Sequence, residues 1–138
     1  MPGADPNIPA AKVINREYAR GLELARAGRF FEAHEAFELS WRAAAAFERD
    51  FFQGLVHVVV SRYQLERGRP VAAERQRVKA LRRLASFAPV HRSLDVDSLL
   101  VALQRAEADP RQCLVERDLQ PPVAAEEEQQ PERGQDDA

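Results

Sequence analysis

The residues of this chain best suited to chemistry are a histidine and several acids set among large aromatics. They lie in Phe30-Phe31-Glu32-Ala33-His34-Glu35-Ala36-Phe37-Glu38-Leu39-Ser40-Trp41. On a helix each residue advances about 100°, which brings His34, Glu38 and Trp41 within about 60° of one another. Phe30, Phe37 and Ala45 share that sector, and Glu35 falls about 100° away, towards its edge. A carboxylate buried without a partner is costly, so Glu38 requires a donor or a cleft. His34 one turn before it and Arg42 one turn after it are the local candidates.

Further polar groups follow at Gln53 and His57, one turn apart and flanking an apolar arc. Antiparallel packing of the two segments would set His57 towards Glu38 or His34. Three readings of His34, Glu35, Glu38, Trp41, Gln53 and His57 stay open. They can form a hydrogen-bond network that fixes helix register, with the indole nitrogen of Trp41 satisfied nearby. They can line a ligand or substrate pocket, with Glu38 or Glu35 as base and His34 as proton shuttle. The third reading is a metal site. Helical carboxylate sites use paired Glu-x-x-His motifs, which are missing. A helical zinc protease would need histidine at position 38, where Glu38 stands. No metal ligand set is assigned, and no cofactor or catalytic residue is fixed by sequence.

The elements that must position these groups all read as helices. The first covers about 12–27, with Val13, Tyr18, Leu22 and Ala25 on one side and Gly28 as its stop. The second runs from 29 or 30 to about 46. The third, about 48–67, carries Phe51, Phe52, Leu55, Val56, Val59 and Tyr63 and ends at Gly68. Its apolar arc is wide, which predicts the most buried helix of the set. Val58-Val59-Val60 alone would suit a strand, but length and flanking charges favour helix. Pro70 suits the first turn of a fourth helix to about 87. Asp95 or Asp97 can cap a fifth, with Leu99, Leu100 and Leu103, ending before Asp109-Pro110. The short connections predict antiparallel neighbours.

Gly28-Arg29-Phe30-Phe31-Glu32-Ala33 recurs as Gly68-Arg69-Pro70-Val71-Ala72-Ala73, forty residues later. Helix, glycine turn and helix with an alanine at the fifth position after the glycine is the pattern of a helical-hairpin repeat. Two copies are too few for a solenoid. The expected fold is therefore all-α: a compact bundle of about five helices, made of two antiparallel hairpins plus a C-terminal helix. Residues 11–112 form the expected domain, 1–10 a disordered segment, and 113–138 an acidic, disordered tail.

Composition fits one soluble domain: 138 residues, 45% hydrophobic and 30% charged. A net charge of −2 exerts no overall pull towards nucleic acid or an anionic membrane. The single cysteine, Cys113, excludes an intramolecular disulfide framework and fits a reducing compartment. Met1-Pro2-Gly3-Ala4-Asp5-Pro6 carries neither a basic nor an apolar leader region. The longest apolar stretch, from Leu55 to Val60, is broken by His57 and is far too short to span a bilayer. A cytoplasmic protein with no membrane partner is expected.

As a set, the stretch from Phe31 to Trp41, then Phe51-Phe52-Gln53-Gly54-Leu55-Val56, then Gly68-Arg69-Pro70, resembles a small bacterial and archaeal helical family. This family is catalogued as domain of unknown function 309. Its hallmark is a His-Glu pair, an acid three residues on and a tryptophan three beyond that, followed by Gln-Gly in the next helix. Here those positions are His34, Glu35, Glu38, Trp41, Gln53 and Gly54. Ser93-Leu94-Asp95-Val96-Asp97-Ser98-Leu99-Leu100 is similar to the family's closing segment, so the resemblance extends over about 16–105. It implies an all-helical fold and no established activity. The chain departs from the family at Tyr63, where relatives often carry histidine, and at His57, where glutamine or an aliphatic residue is usual. A metal site using His57 would be private to this protein.

Charge is divided unevenly along the chain. Between Arg62 and Arg92 there are nine Lys or Arg against Glu66 and Glu74, with Arg75, Lys79 and Arg82 on one face of the fourth helix. From Glu116 onward there are eight acids against Arg117 and Arg133. A solvated basic face and a solubilising tail account for this, as does a tail that shields the face from an anionic partner. No nucleic-acid motif is present, and the basic helix lacks interleaved aromatics, so nucleic acid is not an expected partner. The reading as a whole is of a binding or interaction module in preference to an enzyme, with a homo-oligomer expected from the third helix's wide apolar arc. A small-molecule ligand is left open. The alternative is a small-molecule enzyme, hydrolytic or metal-assisted, using Glu35 or Glu38 with His34.

Overall fold

A computed structural model describes residues 8–105. The expected tail at 113–138, the domain's expected end at 112 and most of the expected N-terminal segment lie outside that range. The described chain is all-α: α1 (Ala10–Arg26), α2 (Phe30–Ala43), α3 (Ala46–Glu66), α4 (Pro70–Leu84) and α5 (Val96–Arg105). Helices α1/α2 and α3/α4 form two antiparallel hairpins that meet through α2 and α3, and α5 packs on α4. Among the described residues no helix is long and apolar enough to cross a membrane.

The two glycine turns have the same hydrogen bonds. The Arg29 amide donates to the Leu24 carbonyl at 2.9 Å and the Gly28 amide to Ala25 at 3.0 Å. Arg69 and Gly68 repeat this with Gln64 and Leu65 at 2.9 and 3.0 Å. This crossed pair of bonds is the Schellman motif, which needs a left-handed residue after the helix. Gly28 (φ 78°) and Gly68 (φ 73°) supply it. The sequence repeat at these turns is therefore a repeat of cap geometry.

The link between α2 and α3 falls earlier than expected. Residues 44–46 are strong helix formers, yet Ala44 (ψ 148°) and Ala45 (ψ 161°) are extended and α3 begins at Ala46. Propensity is a weak prior that tertiary packing overrides. Here the break lets α2 and α3 reverse, so that Phe37 and the Phe51-Phe52 pair all enter the core. Helix α3 includes Val58-Val59-Val60, and its buried arc is shared by the core, α2 and α4.

Beyond α4 the chain does something the periodicity did not signal. A short 3-10 turn (Ala85–Phe87) leads to a two-residue antiparallel ladder of β1 (Val90–His91) with β2 (Leu94–Asp95). Its connecting residues, Arg92 (φ 49°) and Ser93 (φ 63°), are both left-handed, as a two-residue type I′ hairpin turn requires. Asp95 is the cap of α5: its carboxylate accepts the Ser98 amide at 3.0 Å and the Ser98 hydroxyl at 2.8 Å. On α4, buried Arg77 donates to the Leu103 carbonyl at 3.0 Å and so fastens α5.

Close helix approach depends on two glycines. A Cβ at Gly21 would lie 2.6 Å from Cδ1 and 2.9 Å from Cζ of Phe37, a ring with no solvent exposure. One at Gly54 would lie 2.6 Å from Cγ and 2.7 Å from Cδ2 of Leu84, also fully buried. Gly54→Ala should therefore destabilise by about 1–3 kcal/mol, despite alanine's better helix propensity. Equilibrium denaturation checks this, and a neutral or stabilising result would show that α3 and α4 can separate freely.

Candidate functional site

Helix α3 has one side left half open. Taking Gln53 as origin, Val56, His57, Val60 and Gln64 fall within about 60° of it on a helical wheel. All five are half-buried, whereas the opposite arc, Phe51, Leu55 and Val58, is sealed in the core. Helix α2 borders this strip on one side. Trp41 lies under the Arg49 guanidinium, 5.1 Å from the ring centroid, and Phe31 meets Tyr63 at 5.4 Å. Helix α4 borders the other side through Gly54–Leu84 and the Ser61 hydroxyl, which donates to the Ala73 carbonyl at 2.9 Å.

Along the α2 border, His34 Nε2 lies 3.4 Å from Glu38 Oε2, and Arg42 Nη2 lies 3.8 Å from Glu38 Oε1. Their side chains are 23% (His34) and 35% (Glu38) exposed, so the pair is reachable from solvent and loosely held. Among the described residues His34 Nδ1 is buried without a hydrogen-bond partner, and its ring packs 5.4 Å from that of Phe31. Glu35, one residue on, is exposed.

His57 does not face His34 or Glu38. Its Nδ1 lies 2.7 Å from Gln76 Oε1 of α4, because residue 57 falls on the α4 side of α3. A carbonyl oxygen requires that Nδ1 donate. Nε2 is then the acceptor, and it is buried with no hydrogen-bond partner among the described residues. Burial, and then the nearby cations Arg83, Lys79 and Arg82, push the imidazole below its ordinary range, against the Gln76 hydrogen bond. The ring is accordingly neutral at pH 7. Its contribution to stability is present above about pH 6.5 and is lost as pH falls through the lowered folded value.

The six sequence candidates thus separate into two groups. His34, Glu38 and Trp41 border the strip from α2, with Glu35 outside it. Gln53 and His57 lie on α3 itself, and the described residues give Gln53 no side-chain hydrogen bond. Among the described residues no three His, Cys, Asp or Glu side chains group as a metal ion would need.

The strongest polar cluster was not among those candidates. Buried Glu48, at the start of α3, accepts hydrogen bonds from Arg92 Nε, from Arg92 Nη2 at 3.0 Å and from His91 Nε2 at 2.8 Å. Arg92 Nη1 also donates to Asn15 Oδ1 at 2.8 Å, and the Tyr18 hydroxyl donates to the Arg92 carbonyl at 3.0 Å. The guanidinium lies over the Tyr18 and Phe52 rings at 5.8 and 5.2 Å. With three donors on one buried carboxylate, this cluster is well satisfied and ties α1, α3 and the hairpin together. The only sequence signal was an acid in the first turn of α3; its partners stand more than forty residues away.

The fold and the half-open strip define a small helical-hairpin protein with polar groups at a helix seam. Residues 18–76 match the family described as Domain of unknown function (DUF309). The chain therefore resembles that family across α2, α3 and their flanking hairpin segments, and the closing segment from Ser93 lies outside the matched range. No curated protein and no solved structure matches the chain.

Arg92 holds the Glu48 carboxyl below the usual carboxylate range, helped by His91 and opposed by burial. A lowered folded value stabilises fully above the unfolded pKa of about 4.3 and ceases to do so as pH falls through the folded value. Glu48→Gln should cost about 3 kcal/mol or more at pH 7, since it leaves the guanidinium without its counter-charge. The gap between native and variant chains should close in acid. Denaturation at pH 7 and pH 3 checks both; a constant gap would assign the loss to packing alone.

Proposed function

We propose that this chain is a binding module acting through the half-open strip of α3, with a second copy of the chain as its partner. One observation carries the reading: a continuous strip of half-buried side chains that mixes Val56 and Val60 with Gln53, His57 and Gln64, bordered by an exposed Phe31. A structural network would be satisfied by its own hydrogen bonds, as the Glu48 carboxylate is. A self-complementary strip on a single helix suits a two-fold pairing, in which each copy presents the same residues. The lone Cys113 supports a reducing, cytoplasmic setting.

Light scattering over a concentration series should give twice the chain mass, and Val56→Arg with Val60→Arg should give a monomer. Concentration-dependent amide shifts confined to 53–64 and 31–41 provide the same test on the native sequence. A monomer at every concentration, with no such shifts, would remove the proposal.

A second reading draws on the His34–Glu38 pair. A carboxylate and an imidazole 3.4 Å apart and open to solvent are the parts of a general acid–base pair. On this reading activated esters or phosphoesters are hydrolysed by the chain and spared by Glu38→Gln. Equal rates in both, or none above buffer, would dismiss it.

A further inference from the structure

The described part of the chain and the part beyond it carry opposite charge. Residues 8–105 hold 17 Lys or Arg against 11 Asp or Glu, a net of +6. Residues 106–138 hold ten Asp or Glu against Arg111, Arg117 and Arg133, a net of −7. The overall −2 conceals this division, which also leaves one acid, Asp5, before residue 8.

On the folded part the excess is concentrated on α4. Its single acid, Glu74, is taken by Arg77, at 2.9 and 2.5 Å. Arg83 is paired with Asp50 at 2.7 Å. Arg75, Lys79 and Arg82 are exposed, and among the described residues none of them has an ion-pair or hydrogen-bond partner. The three cations share an arc of about 100° with Val71 and Val78 on a helical wheel. Those two valines are 65% and 40% exposed. Lys79 and Arg82 also lie near His57 of α3, so this face adjoins the α4 border of the strip.

The described residues end close to α4, on its Arg77 side. Leu103, two residues before Arg105, is fixed to α4 by the Arg77 hydrogen bond. From Arg105 to Glu116 an extended chain reaches up to about 36 Å, and α4 is only about 22 Å long. A tethered segment meets its site at an effective concentration that a free ligand seldom attains. Between 114 and 128 the segment sets Glu116, Asp118, Glu126, Glu127 and Glu128 among Leu114, Val115, Leu119 and Val123. That alternation of acids and aliphatics matches a face of cations and exposed valines.

We infer that the outer face of α4 is the docking site of the chain's own acidic segment, residues 114–128. Bound there, the segment neutralises Arg75, Lys79 and Arg82, covers Val71 and Val78, and competes with any polyanion for the face. The inference does not require the α3 strip to pair with a second copy.

The test uses the full chain carrying a nitroxide on Ala125→Cys in a Cys113→Ser background. At low salt, amide signals of the α4 outer face (Val71, Arg75, Val78, Lys79 and Arg82) should lose intensity selectively. The loss should vanish at about 1 M salt, where the Debye length is about 3 Å. It should also vanish with Arg75→Glu, Lys79→Glu and Arg82→Glu combined; if that variant does not fold, the salt series decides. A mixture of nitroxide-labelled chain and isotope-labelled chain without nitroxide should show no loss. Intensity loss on another face, none at all, or an equal loss in the mixture would overturn the inference, the last by making a second copy the donor.

Discussion

The Glu48 carboxylate is the constraint on which the described fold turns. It sits buried in the first turn of α3 and is met by Arg92 and His91 from a hairpin more than forty residues later. A buried ion pair adds little net stability over apolar packing, because removing two charges from water costs about what their attraction returns. What it does impose is position. The observed placement of the β1–β2 hairpin satisfies Glu48, and in it the Arg92 carbonyl accepts the Tyr18 hydroxyl and the guanidinium reaches Asn15. The first helix, the third and the segment leading to α5 are thereby held in one arrangement. Burial raises the Tyr18 hydroxyl well above its ordinary range, which keeps it a hydrogen-bond donor at any working pH.

With that corner fixed, α3 can be covered on three sides and left partly open on the fourth. Gly54 lets α4 approach until the Leu84 side chain fills the space a methyl group would take. Gly21 does the same for Phe37 between α1 and α2. The Gln-Gly pair is thus two unrelated features side by side. Its glycine is a packing device, and its glutamine faces the open strip. The polar groups along that strip are held much more loosely than those around Glu48. This contrast separates a carboxylate that orders the fold from one that is available to something else.

Charge follows a separate division. The α4 cations adjoin the strip at its His57 border, and their acidic counterpart lies beyond Arg105. One small domain therefore presents two surfaces of different chemistry: a half-buried seam of valine, glutamine and histidine, and an exposed row of cations.

The sequence determined the five helices, the glycine turns, the Asp95 cap and about half of the core, because each depends on local periodicity or on a single residue's backbone preference. Val13, Tyr18, Leu22 and Ala25 are buried as their spacing requires. It also brought His34 and Glu38 together, since a separation of four residues is a helical neighbour. Tertiary structure decided what local rules cannot express. It broke the alanine run at Ala44 and Ala45 so that two apolar faces could meet, and it put Arg92 and Ser93 into left-handed turns that no Asn-Gly signal marked. It turned His57 to Gln76 and away from His34, because the rotation of α3 between its neighbours is set by Gly54 and Leu84. Hence His34, Glu38 and Trp41 border the α3 strip while Gln53 and His57 belong to it, and the best-satisfied network lies at Glu48, whose partners are distant in the chain and adjacent only once it has folded.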